Sequence, residues 1–193
     1  MQRRLAFLIG LILLFGISVG NASDNDDEMN SKAEVLLKAL NHNETIKDRI
    51  KEQCVIAVLY NPDSPQSVSE KEMAINSLDK NKKIKIFNKK IRIMELPMTP
   101  STNLEKKIII NGINAYVLTS GLEHYLKTIR ESAKYNLVTT LSLNPELINQ
   151  SYAALGAQKD DTGYKLLVNM SEAQNIHVKL GDDILTTAMV VGK

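Results

Sequence analysis

The chain has 193 residues, 44% hydrophobic and 24% charged, with one cysteine and no tryptophan. That length suits one domain whose core needs neither disulfides nor metal to hold it together. A single cysteine excludes a disulfide framework and any cysteine-based zinc cluster, and the apolar share excludes a disordered tail.

Arg3 and Arg4 precede an uncharged apolar run over 5–19, and Gly20-Asn21-Ala22 supplies small residues for cleavage. This is the pattern of a bacterial secretory signal peptide over 1–22. The apolar run is about 15 residues, shorter than the ~20 a spanning helix needs. Cleavage after Ala22 would place the mature chain in the periplasm with no stable membrane span. It would also remove Arg3 and Arg4, so that the 24 Lys and Arg fall to 22 and match the 22 Asp and Glu. A formally neutral mature protein has no basic footprint, which argues against a nucleic-acid partner.

Residues 23–30 are polar and acidic (Asp24, Asp26, Asp27, Glu28) and read as a flexible, solvated arm. They do not form a calcium loop, because Met29 stands where that loop needs Gly and Val35 where it needs Glu. A single domain over 31–193 follows. A helix from Ser31 carries Ala33, Leu36, Leu37 and Leu40 on one stripe. Residues 54–60, Cys-Val-Ile-Ala-Val-Leu-Tyr, form a continuous apolar run, the mark of a strand buried on both faces. Asn61-Pro62-Asp63-Ser64-Pro65 breaks it, and Ser67 or Ser69 caps a helix that turns Met73, Ala74 and Leu78 inward.

A second strand lies within 84–96, most clearly over 91–96, and a helix is expected over 101–111. A short buried strand at 115–118 ends at Thr119-Ser120-Gly121. An amphipathic helix follows, with Leu122, Tyr125, Leu126, Ile129 and Ala133 on one face. Residues 137–141 read as another strand, and Pro145 opens a helical turn. Two strands at 152–158 and 164–169, joined by Lys159-Asp-Asp-Thr-Gly163, read as a hairpin. Ser171 then caps a helix, and a last helix carries Ile184, Leu185, Ala188 and Val191. The alternation predicts an α/β fold: a mainly parallel, doubly wound sheet with helices on both faces and a late antiparallel hairpin.

Certain segments, taken in order, resemble the YfiR-like (HmsC-related) family of secreted bacterial proteins. They are Lys38-Ala39-Leu40, the run over 55–60 with its proline loop, Ile113-Asn-Ala-Tyr-Val-Leu118 with Ser120-Gly121-Leu122, the glycine hairpin, Leu167-Val168-Asn169, and Ile184-Leu185-Thr-Thr-Ala188. The resemblance implies a small periplasmic α/β domain without enzymatic chemistry. It also implies a regulatory role: the best-understood members bind the periplasmic sensor of an inner-membrane diguanylate cyclase and so restrain biofilm output. Those members use cysteine pairs and a tryptophan near the first helix, whereas this chain has Cys54 alone and no Trp. It therefore resembles the less characterised branch, and the redox pairing does not carry over. The alternative is a small periplasmic solute-binding protein of transporter type.

No catalytic constellation is legible, and the chain is expected to be no enzyme and to carry no cofactor. His42, His124 and His177 lack ligand spacing, so no metal site is expected. Asp160-Asp161 suits a turn, and Asp182-Asp183 suits the first turn of a helix. Cys54, at the start of an apolar strand, reads as a small core residue. Lys80, Lys82, Lys83, Lys85, Lys89 and Lys90 read as guards of an edge strand, with contact to an anionic partner or membrane surface as the alternative.

The candidate binding residues lie where strands should end. They are Asn61, Ser64 and Ser67 after the first, Thr119, Ser120 and Gly121 after the third, and Ser142, with Asn144, after the fourth. Open α/β sheets bind ligands outside the carboxyl ends of their strands, so a shared edge would make a polar crevice for a small anion or peptide. The same residue types also serve turns and caps.

The leader predicts that protein purified from the cell envelope begins at Ser23. N-terminal sequencing or intact mass checks this, and a chain beginning at Met1 refutes it.

Overall fold

The computed structural model describes residues 21–192, so the leader expected at 1–22 falls almost wholly outside the described residues. Seven strands form one sheet: β1 (Gln53–Tyr60), β2 (Lys90–Pro97), β3 (Ile113–Leu118), β4 (Thr139–Ser142), β5 (Leu155–Asp160), β6 (Gly163–Asn169) and β7 (Met189–Val191). Their order is β2-β1-β3-β4-β5-β6-β7, and every pairing is parallel except the β5–β6 hairpin. The helices are α1 (Asn21–Leu40), α2 (Glu44–Lys47), α3 (Pro65–Lys80), α4 (Leu104–Asn111), α5 (Leu126–Tyr135), α6 (Pro145–Asn149), α7 (Met170–Asn175) and α8 (Asp182–Leu185). The α/β class, the parallel sheet and the late hairpin are as the alternation of patterns required.

Alternation along β3 separates the two faces. Tyr116 sends its hydroxyl toward Ser132 of α5, at 3.4 Å. Its neighbour Val117 lies with Met29 of α1 and Met73 of α3. Successive side chains on a strand point to opposite faces, so α1 and α3 cover one face and α5 the other. Cys54 to Leu59 of β1 are all buried, as a strand covered on both sides requires.

The chain leaves β1 through α3 to reach β2, then returns across β1 to β3. Crossovers from β1 and β3 therefore depart on opposite faces. The carboxyl ends of β1 and β3 form the topological switch point, where the sheet opens a crevice.

The amino edge is pinned by polar side chains. Asn43 is fully buried; its Nδ2 donates to Thr139 Oγ1 at 2.7 Å, and its Oδ1 accepts from Thr45 N. Arg49 donates to the carbonyls of Leu137 and Ile113, tying β3 to β4. Where the β1–β3 register shifts, Asn114 Oδ1 accepts from Val55 N at 2.9 Å and takes the place of a ladder carbonyl.

Several local expectations are corrected. The acidic residues 23–30 are not an arm but the first turns of α1, which begins ten residues before Ser31. Lys32–Glu28 and Lys80–Asp26 ion pairs, and a bond from Asn81 to the Asn30 carbonyl, give that end of the helix its partners. The α3 cap is Ser64, not Ser67 or Ser69, because Pro65 takes the first helical position and the cap must precede it. Asn169, not Ser171, caps α7 by accepting from Glu172 N. The last helix stops at Leu185, and residues 189–191 become β7, because the parallel pairing Leu167↔Met189 to Asn169↔Val191 satisfies the outer edge of β6.

Gly156 of β5 lies under Ile148 of α6, where a Cβ would meet Ile148 Cγ1 at 2.4 Å. Ile148 is fully buried and has nowhere to move. Gly156→Ala should therefore cost about 1–3 kcal/mol in urea denaturation. Ile148→Ala in the same chain should make the double variant less destabilised than the sum of the singles.

Candidate functional site

All seven sequence-chosen residues come to one edge of the sheet, where hydrogen bonds link several of them to one another and to the neighbouring backbone. The Asn61 N–H donates to Ser67 Oγ at 2.8 Å, and Asn61 Nδ2 donates to the Gly121 carbonyl at 3.1 Å. Ser67 and Thr119 share a hydroxyl–hydroxyl bond of 2.6 Å, and Thr119 Oγ1 reaches the Leu59 carbonyl at 3.0 Å. Ser64 accepts from Ser67 N as the α3 cap. Ser142 Oγ donates to the Leu118 carbonyl at 3.0 Å and accepts from Asn144 N. These contacts stitch the loops after β1, β3 and β4 into a rigid rim. The close fit requires glycine at 121: φ is +76°, and a Cβ would lie 3.0 Å from Ser64 Oγ.

This bonding changes what the rim can hold. An anion would need free N–H donors, but those of Asn61, Ser67 and Ser120 are already paired. The partner of Ser120 is Glu70, a residue the sequence pattern did not single out. Glu70 Oε2 accepts from Ser120 N at 2.7 Å, and Oε1 accepts from Ser120 Oγ at 2.8 Å and from Gln66 at 2.9 Å. In sequence it is one charged position among several on an amphipathic helix. Only the crossover that lays α3 beside the β3 loop gives it a role.

Beside Glu70 lies a cavity of about 190 Å³ between α1, α3 and the ends of β3 and β4. Its wall is mixed: Met29, Met73, Val117, Leu118 and Leu143 give it an apolar side, and Glu28, Lys32, Glu70, Thr119 and Asn144 bring polar atoms to nearly as much of it. Lys32 has a side chain only 10% exposed and pairs with Glu28 at 2.7 Å. The hydrogen bond from that ammonium holds the Glu28 carboxyl below its ordinary value. A larger hollow of about 320 Å³ runs along the outer edge between Ile75 of α3 and Ile91 and Ile93 of β2, away from the switch point.

The other sequence candidates stay apart from this edge. Cys54 is buried in β1, and burial pushes its thiol up to about 12, so it stays protonated and inert. None of the three histidines lines the cavity. Among the described residues, no three His, Cys, Asp or Glu side chains converge to hold a metal. The six lysines are all exposed and run from the end of α3 to the first residue of β2, which is an edge strand as expected. Asp160 sits in the hairpin turn, where Lys165 and Thr162 hold its carboxyl at about 2. Asp182 and Asp183 occupy the first turn of α8. Among the described residues, no helix is long and apolar enough to cross a membrane.

No protein-family model matches the sequence, and no curated protein matches it. Among solved structures, the chain is similar to an ABC domain in complex with L-Trp from Streptococcus pneumonia. That match has a TM-score of 0.52 at 11% identity, over 85% of this chain and 62% of the other. It is also similar to a conserved domain protein from Vibrio cholerae, with a TM-score of 0.52 at 14% identity, over 83% of this chain and 60% of the other. The chain thus spans about three fifths of the length of these two proteins. At such identities the likeness is one of fold alone, between α/β proteins.

Proposed function

We propose that the protein is a non-enzymatic binding protein of the bacterial periplasm that takes a small molecule in the cavity at the carboxyl ends of β3 and β4, beside the switch point. The carrying observation is the cavity itself, a hollow at the carboxyl ends of β3 and β4 whose wall combines apolar side chains with polar and charged ones. Small-molecule sites in α/β proteins favour this place and this lining. The complex of the pneumococcal neighbour with L-Trp agrees with a small-ligand role for such a fold.

A fragment screen followed by amide chemical shifts tests this reading. Bound fragments should move residues 70–74, 117–119 and 143–145. Ala74 is buried and lines the cavity, so Ala74→Met should fill it and abolish those shifts while leaving the fold intact. Shifts confined to other regions, or unchanged in the variant, overturn the reading.

A second reading, regulation of an inner-membrane sensor protein, draws on the family resemblance and on one structural observation. Ile109, Ile110 and Tyr135 are 79%, 66% and 83% exposed. Helix α4 buries Leu104 and Ile108 on its inner stripe, which leaves Ile109 and Ile110 outside. The C-terminal ends of α4 and α5 lead into the neighbouring strands β3 and β4, so the three side chains share the amino edge, opposite the cavity. Exposed apolar groups gathered in one region mark contact faces more often than isolated ones. Cross-linked pull-downs from detergent-solubilised cells should recover an inner-membrane sensor with the native protein and lose it with Ile110→Asp and Tyr135→Asp. Equal recovery by the variants, or no membrane protein with the native chain, refutes the regulatory reading.

A further inference from the structure

We propose that the ligand of the cavity at the carboxyl ends of β3 and β4 is a small primary amine with an apolar body, its ammonium held by Glu70; this inference rests on the cavity being the binding site. Glu70 is bound only by neutral donors, the Ser120 N–H and O–H groups and the Gln66 amide. A carboxylate offers about four lone-pair sites, so one acceptor position, on Oε2, is open to a further donor. Among the described residues, no Lys or Arg forms an ion pair with it; Lys32, the cation on the cavity wall, is already paired with Glu28. Two acids and one base leave the wall with a formal charge of −1 among these groups.

Glu70 is partly buried with no ion-pair partner among the described residues, and an ammonium at its open acceptor would make the charge-assisted bond that its neutral donors do not. An anion meets the opposite conditions, because the Ser120 N–H it would use already serves Glu70. A divalent metal is a poor fit as well. Among the described residues no three His, Cys, Asp or Glu side chains converge to hold one, and Lys32 stands on the same wall. Met29, Met73, Val117, Leu118 and Leu143 suit a hydrocarbon body beside the ammonium. The cavity of about 190 Å³ equals roughly six times the ~30 Å³ share of a water in the liquid, room for a molecule of about six non-hydrogen atoms. Isoamylamine has that size and shape.

The test compares isoamylamine with 4-methylpentanoate, a carboxylate of similar body, by calorimetry and amide chemical shifts on the full mature protein. Isoamylamine should bind and move residues 70–74 and 117–119, and 4-methylpentanoate should not. Glu70→Gln should weaken the amine at least tenfold, and Glu70→Asp, which keeps the charge and retracts it, should fall between. Glu105→Gln, an exposed carboxylate on α4, should change affinity less than twofold. Thermal unfolding of each variant separates lost binding from lost folding; if Glu70→Gln does not fold, Glu70→Asp alone carries the comparison. Amine affinity unchanged in the folded Glu70 variants overturns the assignment to Glu70. Carboxylate binding at the same residues without amine binding overturns the amine class but leaves the cavity as the site. Absence of amine shifts at millimolar concentration overturns it too, and if the wider fragment set also spares these residues, the cavity reading fails with it.

Discussion

The burial of β1 on both faces is the constraint on which the rest of the molecule depends. Its run from Cys54 to Leu59 has no polar side chain to offer water, so it is stable only between two neighbouring strands and beneath helices on both sides. Parallel neighbours can be reached only by long crossovers, and right-handed crossovers on both sides of one strand must leave on opposite faces. A central, doubly buried strand therefore brings a switch point with it. The crevice follows from how the core is covered.

The polar residues at that crevice show how a rim is built and what it then excludes. Ser67, Thr119, Asn61 and Ser142 tie three loops together through side chain and backbone, and the bonds that make the rim rigid occupy the donors an anion would use. What remains chemically open is displaced toward α1 and α3, where methionines, the last residues of β3 and several charged groups form a hollow. Glu70 bridges the two zones: Ser120 holds its carboxylate at the rim, and the same carboxylate lies on the wall of the hollow.

The opposite edge serves stability. Asn43, Arg49 and Asn114 hold the amino ends of β1, β3 and β4 through backbone carbonyls, N–H groups and one buried hydroxyl. Burial of the Arg49 guanidinium lowers its proton affinity, yet its two carbonyl acceptors satisfy it where water is scarce. A sheet pinned at one edge and stitched at the other presents its cavity on a rigid frame, and a small binding site on such a frame needs little ordering when a ligand enters.

The sequence by itself determined the class of fold, the central strand, the hairpin with its acidic turn and the edge strand guarded by lysines. Each rests on a local pattern: an apolar run, a turn residue set or a cluster of like charges. It also determined which residues stand at the strand ends, because turns and caps demand those types wherever they fall. Local patterns misplaced the two ends of the domain. The acidic stretch 23–30 continues α1, where Lys80 and Asn81 at the end of α3 meet it in space, and 189–191 is a strand because β6 has an edge to satisfy. Only the tertiary structure decided that Ser120 faces Glu70 and that α1 roofs the cavity. Those contacts join residues 50 or more apart in sequence, and no periodicity along a chain encodes which of its helices crosses which strand.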